Sequence, residues 1–357
     1  MSVARLIVGC MSGTSMDAID AALVAVNGTG LSMHASLERA ATAPLPHGDR
    51  LRAFADGEAF TARELRAIAA DLGAAHRDLI ARLIADGVPD LIVMHGQTVL
   101  HDPPLSWQLL DPWPVATAFG CRIVTDLRSR SLASGGQGAP LTPLADWVLF
   151  RGEEPRSVVN LGGFANITTL PAESGIAAAD IDRIGSGDVC PCNLVLDRLA
   201  RGRLGKPFDH DGAAALAGTP DDAIAEQLAS RLSAPAGRSL GTGDEAPWLD
   251  EATAKLKPSD ALATACDAIG RAIARGLPPG DVVVAGGGTL NLALVRAIER
   301  HLGGAVRKSD DLGVPIQSRE AAAFAVLGAL ADDGVPVSLP RITGSATQGR
   351  DGQWILP

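Results

Sequence analysis

The chain of 357 residues contains no tyrosine, and aromatic residues of every kind make up only 3% of it. With alanine and glycine abundant, that absence reads as compositional bias and carries no function. No apolar run is long enough to cross a membrane. The opening MSVARLIVGC has a short apolar stretch without the small-residue cleavage site of a signal peptide, so neither a membrane span nor a secretory leader is expected. Cysteines are few. Cys10, Cys121, Cys190, Cys192 and Cys266 are odd in number and mostly scattered, which excludes a disulfide framework and predicts a reducing, cytoplasmic setting. Cations are also short: 31 Lys and Arg face 41 Asp and Glu, a net charge of −10. That argues against a nucleic-acid partner, which wants a basic face, but leaves open a small anion held by backbone amides. There is no Walker A loop, and neither Ser12 nor Ser15 stands in a G-x-S-x-G elbow, so a serine hydrolase built on either is excluded.

What is present is 46% apolar residues in a chain long enough for two domains. Strand-like runs at 6–8, 19–26 and 31–40 predict an antiparallel meander. A helix follows Thr61-x-x-Glu64, a capping-box signature, and LIVM (91–94) and RIVTD (122–126) read as strands. HGQTVLH (95–101) reads as a loop, and TPLADWVLF (142–150) as a helix. The opening pattern then returns in RSVVNLGGFANITTL (156–170), followed by helices near 193–203, 220–233 and 259–276, the strand VVVAG (282–286), and helices at 291–302 and 319–333. A repeated meander, each copy followed by helices and strands, predicts two similar α/β halves: 1–150, 151–335, and a tail, 336–357, that is a candidate to complete the first.

Three glycine-containing turns are candidates for anion binding. The first holds Ser12, Gly13, Thr14 and Ser15 with Asp17 beyond; an ordinary hairpin turn would use the same residue types. The second holds Gly162 and Gly163. In AGGGTLN (285–291), Asn291 stands where a dinucleotide fingerprint wants its third glycine, so the turn is either a tight strand-to-helix connection or a nucleotide platform made by Gly286, Gly287 and Gly288. Each is weak alone; together they suggest several faces closing on one polyphosphate. His95, Gln97, Arg128, Gly136 and Gln137 lie after predicted strands, where α/β proteins bind ligands. A structural histidine and a solvated arginine are the plain alternatives, while Arg128 has the donor fork to hold a carboxylate. Asp188 reads as lying in a Pro-containing turn before the helix at Asn193, either a general base or a helix cap. Cys190 and Cys192 lack the second pair a zinc site needs and read as small buried thiols.

VGCMSGTSMDAID, HGQTVLH, GGQGAPLTP, NLGGFANIT, AGGGTLN and the EAAAFAVLG…LPRITGS ending occur in that order over nearly the whole chain. In this the sequence resembles the anhydro-N-acetylmuramic acid kinases of the sugar kinase, heat-shock chaperone ATPase and actin superfamily. The resemblance implies an α/β fold of two duplicated ribonuclease H-like domains with a nucleotide cleft between them. It implies ATP and Mg²⁺ as cofactors, with residues 12–15 as the first phosphate hairpin and Asp17 beside the metal. Gly162, Gly163 and Asn166 become the second phosphate hairpin, Gly286 to Gly288 with Asn291 the adenosine loop, and Asp188 the catalytic base. The expected partner is a small anhydrosugar, and a homodimer is left open. One departure stands out. Where the family has D-T-G-P-(G/A)-N, this chain has Asp188-Val189-Cys190-Pro191-Cys192-Asn193, a change able to tilt the carboxylate or reshape the sugar pocket. A kinase for another anhydrosugar or a free-hydroxyl sugar, and an ATP-binding module without catalysis, are therefore the alternatives.

Overall fold

The computed structural model describes residues 4–13, 15–85, 87–233, 240, 244 and 246–357; Thr14, expected in the first phosphate turn, lies outside them. The chain divides into two compact units. One comprises Met1–Phe150, Ser174–Asp182 and Gly313–Pro357, the other Arg151–Glu173 and Arg183–Leu312.

In the first unit the strands are β1 (Arg5–Ser12), β2 (Ala18–Asn27), β3 (His34–Pro44), β4 (Leu91–Met94), β5 (Gln97–Asp102), β6 (Leu105–Leu109) and β7 (Arg122–Thr125). β1, β2 and β3 form the antiparallel meander; β4 and β7 continue the sheet in parallel, and the strand Gln353–Ile355 closes its far edge antiparallel to β7. Ile7 to Cys10 are buried without alternation because both faces of the sheet are covered. Val8, Cys10, Leu23, Ile92 and Ile123 pack with Ile68, Leu72 and Leu79 of the helix Ala62–Ile84. That helix starts where expected, the Thr61 hydroxyl accepting from the Glu64 amide and the Glu64 carboxylate from the Thr61 amide.

The helix Arg319–Asp332 packs on β1, β2 and β4. It is apolar on nearly every side, as a helix enclosed all round must be. Its alanines allow close approach: a Cβ on Gly9 would run into the Ala321 carbonyl. The sequence pattern put this helix in the second domain. It lies in the first unit, whose sheet has a second apolar face to cover. HGQTVLH also differs from expectation. Its last five residues begin the two-stranded hairpin β5–β6, paired from Gln97 with Leu109 to Asp102 with Leu105.

The second unit repeats the plan. β8 (Arg156–Leu161), β9 (Phe164–Leu170) and β10 (Gly185–Pro191) form a meander, and β11 (Asp281–Ala285) and β12 (Arg307–Lys308) extend it in parallel. The order β10-β9-β8-β11-β12 matches β3-β2-β1-β4-β7 of the first unit. A three-strand meander continued by two parallel strands is the ribonuclease H-like arrangement, and it occurs twice. Val159, Leu161 and Ile167 meet Leu199, Leu228, Ile269 and Ile273 from the helices Asn193–Leu204, Asp222–Leu232 and Pro258–Gly276. Among the described residues no helix is long and apolar enough to cross a membrane.

Candidate active site

In the first unit the expected residues gather at the carboxyl ends of the parallel strands, the usual ligand edge of an α/β sheet. β1 ends at Ser12, β4 runs into His95 to Gln97, and β7 leads through Asp126 to Arg128. Hydrogen bonds tie these ends together. The buried Ser12 hydroxyl donates to the Gly96 carbonyl at 3.3 Å, and Gln97 Nε2 donates to the Gly13 carbonyl at 3.3 Å. Beyond the turn, the Ser15 hydroxyl donates to Asp17 at 2.6 Å, and Arg52 holds the Ser15 and Met16 carbonyls at 2.6 and 3.1 Å. Ser15 and Asp17 are exposed.

His95 is buried and stacks on Phe324 at 4.4 Å between ring centroids. Burial, reinforced by the Arg128 charge, holds its pKa well below the ordinary value, so the ring is neutral. Arg128 donates to its Nε2 and, at 2.7 Å, to the Gly138 carbonyl. Burial draws the Arg128 guanidinium down to about 10 against the opposing pull of Glu320 and Asp126. Gly136 is buried and Gln137 exposed, the Gln137 amide donating to the Thr343 carbonyl at 2.6 Å. Two buried atoms of this cluster, His95 Nδ1 and Gln97 Oε1, have no hydrogen-bond partner among the described residues.

The second unit repeats the placement. The turn Gly162–Gly163 joins β8 to β9; its carbonyls accept from the amides of Asn193 at 3.1 Å and Cys192 at 2.8 Å, pinning the helix start beneath it. Asn193 Nδ2 donates to the Leu161 carbonyl at 3.1 Å, and a Cβ on Gly288 would lie 2.8 Å from Asn193 Oδ1. Gly286 takes a left-handed φ of +84°, turning the chain out of β11. Gly287 is exposed. Asn291 caps the helix Leu292–Leu302, its Oδ1 accepting from the Leu294 amide at 3.1 Å.

Asp188 lies inside β10, opposite Asn166 of β9, and not in a turn as expected. The strand is bulged between Asp188 and Cys190, and it continues to Pro191 because an edge strand tolerates a proline at its end. The half-buried carboxylate accepts from the Leu240 amide at 2.8 Å. Burial raises its pKa and Asp244 adds to the rise, while the Leu240 bond opposes it. Val189, Cys190 and Cys192 are buried in the core with Ile167, Val195 and Leu199. The residues that depart from the family pattern thus face the interior.

Sequence reasoning missed Glu320. It sits one residue after Arg319, whose guanidinium pairs with buried Asp146. Burial, with Asp20 and Asp146 adding to it, raises the Glu320 carboxyl, which Arg319 and Arg128 pull the other way. Asp20, bonded to the Thr42 hydroxyl at 2.6 Å, is likewise raised by burial, with Asp17 adding to the rise. A charged pair opening an otherwise apolar helix was the available signal. Among the described residues no group of three or more His, Cys, Asp or Glu side chains is arranged to hold a metal by itself. A phosphate-bound Mg²⁺ needs less, one or two carboxylates beside the phosphate oxygens, and exposed Asp17 suits that role.

The profile of a family described as "Anhydro-N-acetylmuramic acid kinase" matches residues 5–354. A Salinibacter ruber protein of that name is 35% identical over 390 residues, covering 99% of this chain and 96% of its own length. A Bordetella pertussis protein of the same name is 36% identical over 370 residues, covering 96% and 93%. Among solved structures, the activator of the 2-hydroxyisocaproyl-CoA dehydratase from Clostridium difficile with bound ADPNP overlaps 92% of this chain and 96% of its own at 14% identity. Its TM-score of 0.44 is too low to add to a fold that rests on the two sheet orders. With relatives matched almost end to end at about a third identity, the chain belongs to the anhydro-N-acetylmuramic acid kinase family.

Proposed function

We propose that the chain converts 1,6-anhydro-N-acetylmuramic acid, water and ATP into N-acetylmuramic acid 6-phosphate and ADP, a step in recycling peptidoglycan. The family is one of ATP-dependent sugar kinases, and its match spans both units. In the anhydro ring O6 is bonded to C1, so no free hydroxyl exists to attack ATP. Asp188 would take a proton from water as the water oxygen attacks C1. The C1–O6 bond breaks, and O6 accepts the γ-phosphoryl group. This is the geometry of an inverting glycosidase, with phosphoryl transfer in place of the acid's proton.

The observation that carries the reading is the half-buried Asp188 carboxylate, raised in pKa, on a strand whose altered neighbours pack inward. A raised carboxylate is a better base. Inward packing of Val189, Cys190 and Cys192 leaves the outer face of β10 free of the change, which favours the anhydrosugar over a different substrate. Residues 12–15 and the turn Gly162–Gly163 would hold phosphates through backbone N–H groups, the carbonyls of the second turn being already engaged. Asp17 would hold Mg²⁺, and exposed Gly287 would lie against the nucleoside, with Gly286, Gly288 and Asn291 shaping that loop. A bound Mg²⁺ neutralises charge on the transferred group. His95, Gln97, Arg128, Gly136 and Gln137 would take the sugar, and the unpartnered His95 Nδ1 and Gln97 Oε1 suit its hydroxyl and amide groups. The described cysteines are all free and buried, in keeping with a cytoplasmic site of action.

ADP release at fixed ATP and Mg²⁺, measured over anhydrosugars and free amino sugars, tests the reading. Release with 1,6-anhydro-N-acetylmuramic acid and not with free sugars is expected; release with free-hydroxyl sugars alone would overturn the ring-opening step.

A further inference from the structure

The segment that follows the helix Arg319–Asp332 does not simply trail from the fold. It crosses the loop that carries Arg128, Gly136 and Gln137. The Gln137 amide donates to the Thr343 carbonyl at 2.6 Å, and the Ala346 amide to the Ser134 carbonyl at 2.9 Å. The Ser134 and Thr347 hydroxyls meet at 2.9 Å, and Arg130 Nη2 donates to the Gln348 carbonyl at 3.1 Å. Contact is close enough that Gly136 has no room for a side chain: a Cβ there would lie 2.8 Å from the Ser345 nitrogen. Both ends of the crossing are fastened by one residue. Buried Asp351 accepts from the amides of Val337 at 2.8 Å and Ser338 at 3.3 Å, closing 337–351 into a loop. Past it, Gln353 Nε2 donates to Asp126 at 3.0 Å and the strand Gln353–Ile355 pairs with β7.

We infer that residues 337–351 are a strap, clasped by Asp351, that holds the segment 129–138, the short helix Ser129–Ala133 and the turn after it, in the geometry needed to receive the sugar, which makes Asp351 a positioning residue. The inference rests on the assignment of Arg128 and Gln137 to sugar binding. Its physical basis is that backbone bonds from outside the loop fix the Gln137 amide and the Ser134 carbonyl. Gly138, whose carbonyl accepts from Arg128, follows one residue after Gln137. Loosening the strap releases those restraints, and misplaced binding groups weaken substrate capture steeply. Asp351 touches neither Arg128 nor any residue assigned to the nucleotide, so its effect should fall on one substrate only.

The test compares Asp351→Ala, which removes the oxygen that accepts from both amides, with Asp351→Asn, which keeps an acceptor oxygen, in the full chain. For Asp351→Ala the KM for the anhydrosugar should rise roughly tenfold with the KM for ATP unchanged, and Asp351→Asn should recover most of the loss. Amide exchange at 129–138 should accelerate in Asp351→Ala while amides of β1 and β4 keep their protection. Unchanged exchange at 129–138 in the folded variant, or equal rises in both KM values, overturns the strap. If Asp351→Ala does not fold, exposed Thr347→Val carries the test, and unchanged exchange at Ser134 to Gln137 overturns it. If the unaltered protein converts no anhydrosugar, the functional reading fails, and the exchange result alone decides whether the strap holds the loop.

Discussion

Nη2 of Arg128 lies 3.0 Å from Nε2 of His95, and because a guanidinium only donates, the imidazole must accept there. The ring proton therefore sits on Nδ1. His95 is a neutral ring with a free donor at Nδ1 and cannot serve as an acid–base group without losing the Arg128 contact.

Buried neutral histidines make the fold sensitive to acid. His76 is fully buried, its Nδ1 2.7 Å from the Leu72 carbonyl, and burial lowers it to about 4. An unfolded chain takes up that proton near the ordinary value of about 6.5, so stability is full above it and falls as pH drops toward 4. The slope is at most about 1.4 kcal/mol per pH unit for each such histidine. His76→Leu should lose less urea resistance than the unaltered protein between about pH 7 and about pH 5. Identical losses would remove His76 from the acid response.

Asp188→Asn should bind nucleotide normally and turn over roughly 10²–10⁴-fold more slowly, the usual share of a general base. Because the carboxylate must be ionised to act and burial raises it, kcat/KM should fall with acid at a pH above the ordinary carboxylate range of about 4. In ¹⁸O-water the label should enter at C1, read before anomeric exchange, and leave O6 unlabelled. Near-normal turnover of the Asn variant would pass the role of base to another residue.

Asp17 is exposed, and among the described residues its carboxylate is bonded to the Ser15 hydroxyl alone. Asp17→Asn should change unfolding free energy by less than about 0.5 kcal/mol, the range of ordinary surface substitutions. Turnover should fall strongly and the Mg²⁺ requirement should rise. A variant with unaltered Mg²⁺ dependence would take Asp17 out of the metal region.

Val189→Thr restores the hydroxyl of the family pattern but places it in the core, where Val189 is 9% exposed. Calorimetry should show a loss of about 1–3 kcal/mol, the cost of burying a hydroxyl without a partner. Turnover of the folded fraction should stay within roughly twofold. A large gain in turnover would mean that the departure does reach the active site.

The repeated meander was legible because apolar runs broken by Gly-rich turns at 12–15 and 162–163 admit few other readings. The capping box at Thr61 was legible for the same local reason. β5 was not: in HGQTVLH the polar residues look like a loop, and only pairing with Leu105–Leu109 makes it a strand. β10 hid behind Gly185, Gly187 and Pro191, turn residues that an edge position and a bulge accommodate. Glu320 left only a faint trace in the sequence, the charged pair opening an apolar helix, and the strap left none, because both depend on a helix from one end of the chain packing on strands from the other.

That packing has a consequence for how the chain is made. The second unit is spliced into the first, between Phe150 and Gly313, where only Ser174–Asp182 return to the first. During synthesis β1, β2 and β4 emerge early, but the helix Arg319–Asp332 that covers one of their faces follows roughly 170 residues after Phe150, a wait of roughly ten to thirty seconds at ordinary elongation rates. Through that interval Ile7, Val24 and Val93 must stay exposed or be shielded by something else. A nascent chain halted before residue 319 should hold a protected second unit beside a first unit that still exchanges its amides freely. The half of the protein that is written first is the half that finishes last.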